Sequence, residues 1–486
     1  MNISGSALLV FVLAAPMYGA TCESLRSLTL PNVSVTLAQA TDAEGDTPAF
    51  CRVAATLRPS ADSDIHMEVW LPAAGWNGNL EGNGNGGWTG SINPRTLAAG
   101  LKRGYVATMS DLGHEGGSAS FALGHPEKLV DFGYRAAHDM TVAAKAIAAS
   151  YYGRSPKLSY WTGCSAGGRT ALMEAQRYPA DYDGIVAGSP GLDWTGRAIQ
   201  SVHVAQASHK DEASYIPPAK YELIHSAVLY ACDARDGVKD GVLEDPARCH
   251  FDPSVLLCKG ADSSGCLTRP QVETARAIYA TVKNPRTGAS IFPGFEPGSE
   301  PGWATMAGPR PFAIGGDLFK YVVFRNPEWD YKTFNFDSDA AATMKAEQGL
   351  LNATDPNLSA FAARSGRLIQ YHGWSDPQIA PESSVDYYKG VMGAMGENAK
   401  VQDFYRLFMV PGMAHCGGGE GTSSFDMIGA LDQWVQKGEA PDRIEAARVV
   451  EGKTDRTRPL CPYPQTAVYR GTGSTDDAAN FSCKSY

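Results

Sequence analysis

Along the chain the first clear apolar pattern begins near residue 66. His66 to Ala73 (HMEVWLPA) and Gly104 to Ser110 (GYVATMS) are short apolar runs bounded by turn residues, and both predict strands. Tyr134 to Tyr152 is Ala-rich with no Gly or Pro inside it, which predicts a helix. The pattern then sharpens: Lys157 to Thr162 (KLSYWT) predicts a strand, GCSAGG a tight turn, Arg169 to Arg177 a helix stopped before Pro179, and Tyr182 to Gly188 another strand. Strand, helix and strand in this order imply a parallel sheet with crossover helices, an α/β fold.

From Leu192 to Ala353 that rhythm is lost, Gly, Pro, Asp and Trp become frequent, and four cysteines cluster. This segment, 192–353, is expected to be an inserted lid domain, with 21–191 and 354–486 forming one catalytic domain around it. The alternation resumes with the buried-type strands Arg367 to His372 and Asp403 to Val410, followed by a helix over Phe425 to Lys437. The tail from Arg458 reads as loop-rich and stapled, and no internal repeat is visible.

Composition narrows the possibilities. At 486 residues, 43% hydrophobic and 19% charged, the chain has the makings of a large folded core. With 42 Lys and Arg against 52 Asp and Glu, and no long basic run, it is not built to neutralise a nucleic-acid backbone. The apolar stretch Ala7 to Met17 is too short to span a bilayer and is followed by small residues at Gly19 and Ala20. Residues 1–20 are therefore expected to be a signal peptide, giving a secreted or periplasmic protein without a membrane partner.

Ten cysteines without a CxxC motif fit an oxidising compartment. Their spacing suggests local staples, Cys22 with Cys51, Cys232 with Cys249, Cys258 with Cys266 and Cys461 with Cys483, and leaves Cys164 and Cys416 over. Four N-glycosylation sequons, at Asn32, Asn352, Asn357 and Asn480, matter only in a glycosylating host.

Gly163, Cys164, Ser165, Ala166 and Gly167 spell GxSxG between a predicted strand and a predicted helix, the context of a nucleophile elbow. A serine hydroxyl needs a base to become nucleophilic, and a sharp strand-to-helix turn presents it above the sheet. The backbone N–H of Ala166, at the start of the helix, is one oxyanion donor; Gly86 or Gly87, in the glycine-rich loop GNGNGGWTG, supplies the second. Among ten histidines, His415 in VPGMAHCGGG follows a strand and lies beyond the serine, where a hydrolase of this class carries its base. His372 is its rival, but it precedes Asp376 and so breaks the chain order Ser, acid, His. His66 and His138 read as packing or surface groups. Asp376, in YHGWSDP at the carboxyl end of the preceding strand, is the expected acid. Cys164 directly precedes Ser165 and Cys416 directly follows His415, so contact between serine and histidine would bring the two sulfurs within reach of a disulfide.

These residues together, GCSAGG, YHGWSDP and AHCGGG with cysteines beside Ser and His, resemble the tannase and feruloyl esterase family, from about Cys22 to Cys483. The resemblance implies an α/β-hydrolase core, an inserted lid and a Ser-His-Asp esterase acting on esters of hydroxycinnamic, gallic or terephthalic acids. The substrate it implies is a small aromatic ester, free or attached to plant polysaccharide or polyphenol. It also implies the four local disulfides that spacing suggests, and a structural Ca²⁺ in the stretch CDARDGVKDGV, held by Asp233, Asp236 and Asp240 with the carbonyls of Val238 and Val242. Two other readings stand beside it: a serine peptidase of the same fold, and a catalytically inactive carbohydrate-surface binding protein.

Overall fold

The computed structural model describes residues 19–396 and 398–485, so the apolar stretch expected as a signal peptide lies outside the described residues. Fifteen strands are formed among them: β1 Val33–Thr41, β2 Phe50–Leu57, β3 Ile65–Pro72, β4 Asn79–Asn83, β5 Val106–Ser110, β6 Leu158–Cys164, β7 Gly184–Gly188, β8 Val282–Lys283, β9 Ser290–Phe292, β10 Arg367–Gly373, β11 Tyr405–Val410, β12 Ile444–Val450, β13 Lys453–Leu460, β14 Thr466–Tyr469 and β15 Phe481–Lys484. Nine of them build one sheet in the order β1-β2-β3-β5-β4-β6-β7-β10-β11. From β5 to β11 every neighbouring pair is parallel, while β1, β2, β3 and β5 pair antiparallel. The carboxyl ends of β4, β6, β7, β10 and β11 therefore open on one edge, where an α/β sheet carries its ligands.

Consecutive residues of the central strands serve opposite faces. Trp161, Ile185, Leu368 and Leu407 pack with the helices Ala136–Tyr152, Ala166–Arg177 and Glu382–Met395. Their neighbours Tyr160, Val186, Ile369 and Phe408 pack on the other side against Met427, Leu431 and Trp434 of the helix Met427–Lys437. Both faces are covered, which is why these strands read as unbroken apolar runs instead of alternating ones. This is the α/β-hydrolase fold.

Within the nine-stranded sheet, β1, β2 and β4 are not predicted from the sequence. β1 is a half-exposed edge strand, and β4 (NLEGN) is polar in sequence although wholly buried. Glu81 can sit inside β4 because the guanidinium of Arg103 reaches both its oxygens, at 2.7 and 2.6 Å. The tail is more ordered than a loop: β12 with β13 and β14 with β15 form antiparallel hairpins. Between β7 and β10 the chain makes a largely helical excursion, including Trp194–Ser208, Tyr221–Cys232, Arg269–Tyr279 and Ser338–Glu347, around an apolar cluster containing Val204, Tyr221, Ile278 and Trp303.

The turn after β6 is tighter than predicted, since its helix starts at Ala166, not Arg169. Glycine is forced there by backbone on backbone. A Cβ on Gly84 would lie 2.4 Å from the Cα of Gly167, and one on Gly168 would lie 2.4 Å from the carbonyl oxygen of Gly188. Gly86, by contrast, would place its Cβ in open space. Gly84→Ala is expected to destabilise the fold by about 2 kcal/mol or more, and Gly86→Ala by less than about 0.5 kcal/mol. Urea unfolding midpoints of the two variants against wild type check this.

Candidate active site

Ser165 is the residue between β6 and its helix, with φ 63° and ψ −119°, a conformation rare for any residue but Gly. Hydrogen bonds hold it in place: its N–H donates to Gly188 O at 2.9 Å, and its carbonyl accepts from Arg169 N at 3.0 Å and Gly191 N at 3.1 Å. The strain is thus imposed by the ends of β6 and β7 and by the first turn of the helix. The amide of Ala166 opens that helix, where N–H groups lack intrahelical partners. The glycine-rich loop after β4 lies against the same turn, because a Cβ on Gly167 would touch Gly84 and the carbonyl of Asn85 at 3.0–3.1 Å. Of the two candidate donors in that loop, Gly86 faces open space, whereas Gly87, at φ 53°, turns against Ile314.

Asp376 and His415 meet directly. Nδ1 of His415 lies 2.7 Å from Oδ2 of Asp376, whose side chain is fully buried. The other carboxylate oxygen accepts from the backbone N–H of Gln378 at 2.8 Å and of Ile379 at 3.0 Å. His372 lies behind the acid, with Nε2 at 3.1 Å from Asp376 Oδ2 and 3.2 Å from the carbonyl of Ile379, and Nδ1 at 2.7 Å from Ser384 Oγ. Both neighbours of Nε2 are acceptors, so that nitrogen carries the proton, and His372 is a clamp on Asp376 with no ring nitrogen left for substrate. Burial pushes the Asp376 carboxyl up, yet the charge of His415 and the hydrogen bonds from both imidazoles outweigh it and hold it well below the usual carboxylate range.

Covalent chemistry joins base loop to elbow: Cys164 and Cys416 are disulfide-bonded with Cα atoms 5.9 Å apart. The serine hydroxyl makes no hydrogen bond to His415 among the described residues, so the adjacent bridge is the tie between the two. The other four bridges are Cys22–Cys51, Cys232–Cys249, Cys258–Cys266 and Cys461–Cys483, the pairing expected. His66 and His138 pair with Asp111 and Asp181, away from this site.

A second acidic locus lies in the excursion. Asp236, Val238, Asp240, Val242 and a residue not foreseen from sequence, Glu244, line one cavity of about 20 Å³. Asp233 lies on the same loop, its oxygens accepting from Asp240 N and Gly241 N at 3.1 Å each. Asp240 is paired with Arg458 at 2.5 Å. Asp236 has no ion-pair partner among the described residues, and burial, with the charges of Asp240 and Asp233, pushes its carboxyl up to about 6. Burial likewise pushes Glu244 up to about 8. Carboxylate and carbonyl oxygens gathered along one cavity are the kind of donor that suits a hard divalent cation.

One further tie escaped the sequence. His225, on the helix Tyr221–Cys232, is buried, with Nδ1 2.8 Å from Glu300 Oε2 and Nε2 2.8 Å from Glu420 Oε2. Glu420 belongs to the loop that carries His415. No local pattern could reveal a pair 195 residues apart.

The family model described as tannase and feruloyl esterase matches residues 51–484. An uncharacterised esterase of Xanthomonas campestris pv. campestris is 40% identical, over 96% of this chain and 91% of its own. Two crystal structures from Aspergillus oryzae superpose closely. One, an esterase, has a TM-score of 0.91 at 31% identity; the other, feruloyl esterase B, has a TM-score of 0.89 at 30% identity; each likeness covers 95% of this chain and 99% of the other.

The His225 contacts make a pH-dependent contribution to stability. Burial pushes its pKa down, but Glu300 and Glu420 outweigh it and raise it from 6.5 to about 10. Because the folded value is raised, the contribution is complete below about pH 6.5 and is lost as pH climbs through about 10. The stability gap between wild type and His225→Gln, read from urea midpoints, is therefore expected to shrink over that interval; a gap independent of pH would contradict it.

Proposed function

Given that the chain belongs to the tannase and feruloyl esterase family and is a carboxylic ester hydrolase, we propose that it is a secreted serine esterase cleaving esters of aromatic acids through Ser165, His415 and Asp376. The reading is carried by one observation: Nδ1 of His415 lies 2.7 Å from a buried carboxylate, on a loop whose next residue is disulfide-bonded to the residue before Ser165. With Nδ1–H donated to Asp376, the lone pair of Nε2 is the free base, and the buried acid fixes that tautomer.

His415 takes the hydroxyl proton of Ser165 as Oγ attacks the ester carbonyl, and the tetrahedral oxyanion is received by the N–H groups of Ala166 and Gly86. His415 then gives the proton to the departing alcohol oxygen, leaving an acyl-Ser165. Water, deprotonated by the same imidazole, attacks this ester and releases the aromatic acid and the serine. The segment 192–353 serves as the lid over this edge of the sheet. Five disulfides support export to an oxidising compartment.

A structural Ca²⁺ completes the reading, held by Asp233, Asp236 and Asp240 with the carbonyls of Val238 and Val242, and with Glu244 beside them. Bound there, the ion would neutralise the clustered carboxylates and fasten the loop Asp233–Val242 to the tail, whose Arg456 donates to the carbonyl of Asp240 at 3.1 Å.

Ser165→Ala is expected to lower kcat on methyl ferulate, methyl gallate or a terephthalate monoester by a factor on the order of 10⁵ or more, with an unchanged Tm. Turnover near wild type would refute the assignment, and peptide cleavage with no ester cleavage would favour a peptidase. Chelation with EDTA is expected to lower Tm by about 5 °C or more, with recovery on adding Ca²⁺ but not Mg²⁺. An unaltered melting curve would remove the ion from the account.

A further inference from the structure

Two buried arginines lie close to Trp194, with guanidinium carbons 5.6 Å (Arg169) and 5.7 Å (Arg197) from its ring centre. Their hydrogen bonding differs sharply. Arg169 is spent on backbone: its Nη1 donates to Gly133 O at 2.9 Å and Leu351 O at 3.1 Å, and its Nη2 to Phe132 O at 3.0 Å. Arg197 makes one hydrogen bond, from Nε to Gln378 O at 3.1 Å. Its two Nη groups have no hydrogen-bond partner among the described residues, yet neither is among the fully enclosed polar atoms, although the residue is only 3% exposed. They border accessible space from inside the protein.

The residues around Arg197 are those of the proposed active site. The helix bearing Arg197, Trp194–Ser208, starts three residues after Gly191, whose N–H donates to the carbonyl of Ser165. Gln378, which fixes Nε, also donates its own N–H to Asp376. Trp194 packs edge-on against Trp88 of the glycine-rich loop, with ring centres 4.9 Å apart. Arg197 therefore lies among the elbow, the acid loop and the oxyanion loop, with the ring of Phe312 4.9 Å from its guanidinium. The charge of Asp376 favours the Arg197 cation from nearby, but its oxygens are already taken by two imidazoles and two amides, and it forms no ion pair with Arg197 among the described residues.

A buried cation with most of its donors unused is costly, and a fold keeps one where an anion completes it. Two aromatic faces hold the guanidinium, which turns a fork of N–H donors toward the accessible side, and a fork matches the two oxygens of a carboxylate. We propose that Arg197 is a specificity-determining residue that binds a free carboxylate on the substrate, so that the preferred esters are aromatic esters carrying an ionised carboxylate beside the scissile bond. This rests on the esterase reading above. The carboxylate can belong to the acid part, as in a dicarboxylic monoester, or to the alcohol part, as in an ester of a hydroxy acid.

The test compares kcat/KM for two matched pairs: monomethyl terephthalate against methyl benzoate for the acid side, and chlorogenate against methyl caffeate for the alcohol side. Wild type should favour the charged member of one pair by about tenfold or more, mainly through KM. Arg197→Gln should lower kcat/KM for that member at least about tenfold more than for its neutral partner, with Arg197→Lys intermediate. No charge preference in either pair, or equal loss on charged and neutral esters, overturns the proposal and leaves Arg197 a packing residue. If the neutral esters are cleaved in a Ser165-dependent way, the esterase reading survives that failure. If no ester is cleaved and Ser165 resists a fluorophosphonate, both readings fall.

Discussion

The architecture of the site depends on one covalent constraint, the bridge between Cys164 and Cys416. In the sheet, β6 and β11 are separated by β7 and β10, three steps or about 14 Å at ordinary strand spacing. The bridged Cα atoms are 5.9 Å apart. The loop after β11 must therefore fold back across the ends of two strands to reach the elbow. It does so through residues in the left-handed region, Cys416 at φ 64°, Gly418 at 67° and Gly419 at 83°, and closes on itself where Glu420 and Gly421 donate to Gly412 O. Such a turn has little intrinsic stability. A bridge across 252 residues removes roughly 5 kcal/mol of unfolded-chain entropy in the chain-entropy model, enough to hold it.

The second requirement is electrostatic. An isolated carboxylate as deep as Asp376 would be neutral or strongly destabilising, and a neutral acid would not fix the imidazole of His415. Four donors solve this: two backbone amides on one oxygen and two imidazoles on the other. His372 thereby acquires a function that its position in the chain order concealed. It satisfies the acid from the protein side, leaving His415 to face the elbow.

What could be read from sequence was whatever is encoded locally. Strands β6, β7, β10 and β11 announce themselves by apolar runs, and the elbow by glycines whose missing Cβ atoms the close backbone approach explains. The chain order of Ser165, Asp376 and His415, and the adjacency of two cysteines to two of them, followed directly. Elements sustained by distant partners were silent. β4 reads as NLEGN because its buried Glu81 relies on Arg103 from the next turn of the fold. β12 and β13 carry charged residues, among them Arg456 and Arg458, which are buried against distant acids. Glu244 and His225 gain their meaning only from Ala467 and Glu420, more than a hundred residues further along.

The excursion between β7 and β10 is packed against the loops of the proposed site at three separate places. Its apolar cluster includes Ile379 and Ala380 of the acid loop, so Trp303 and Tyr221 share a core with the segment that positions Asp376. His225 bonds Glu420 on the His415 loop, and the indole N–H of Trp88, in the glycine-rich loop, donates to the carbonyl of Ile314 at 2.9 Å. A rigid-body swing of the whole excursion would break all three at once, exposing a buried cluster and stranding the His225 cation without its second carboxylate. These three contacts together oppose such a swing. The excursion and the proposed site are consequently coupled in this fold: a change that loosens the excursion also loosens the Asp376 loop, the His415 loop or the glycine-rich loop that it braces.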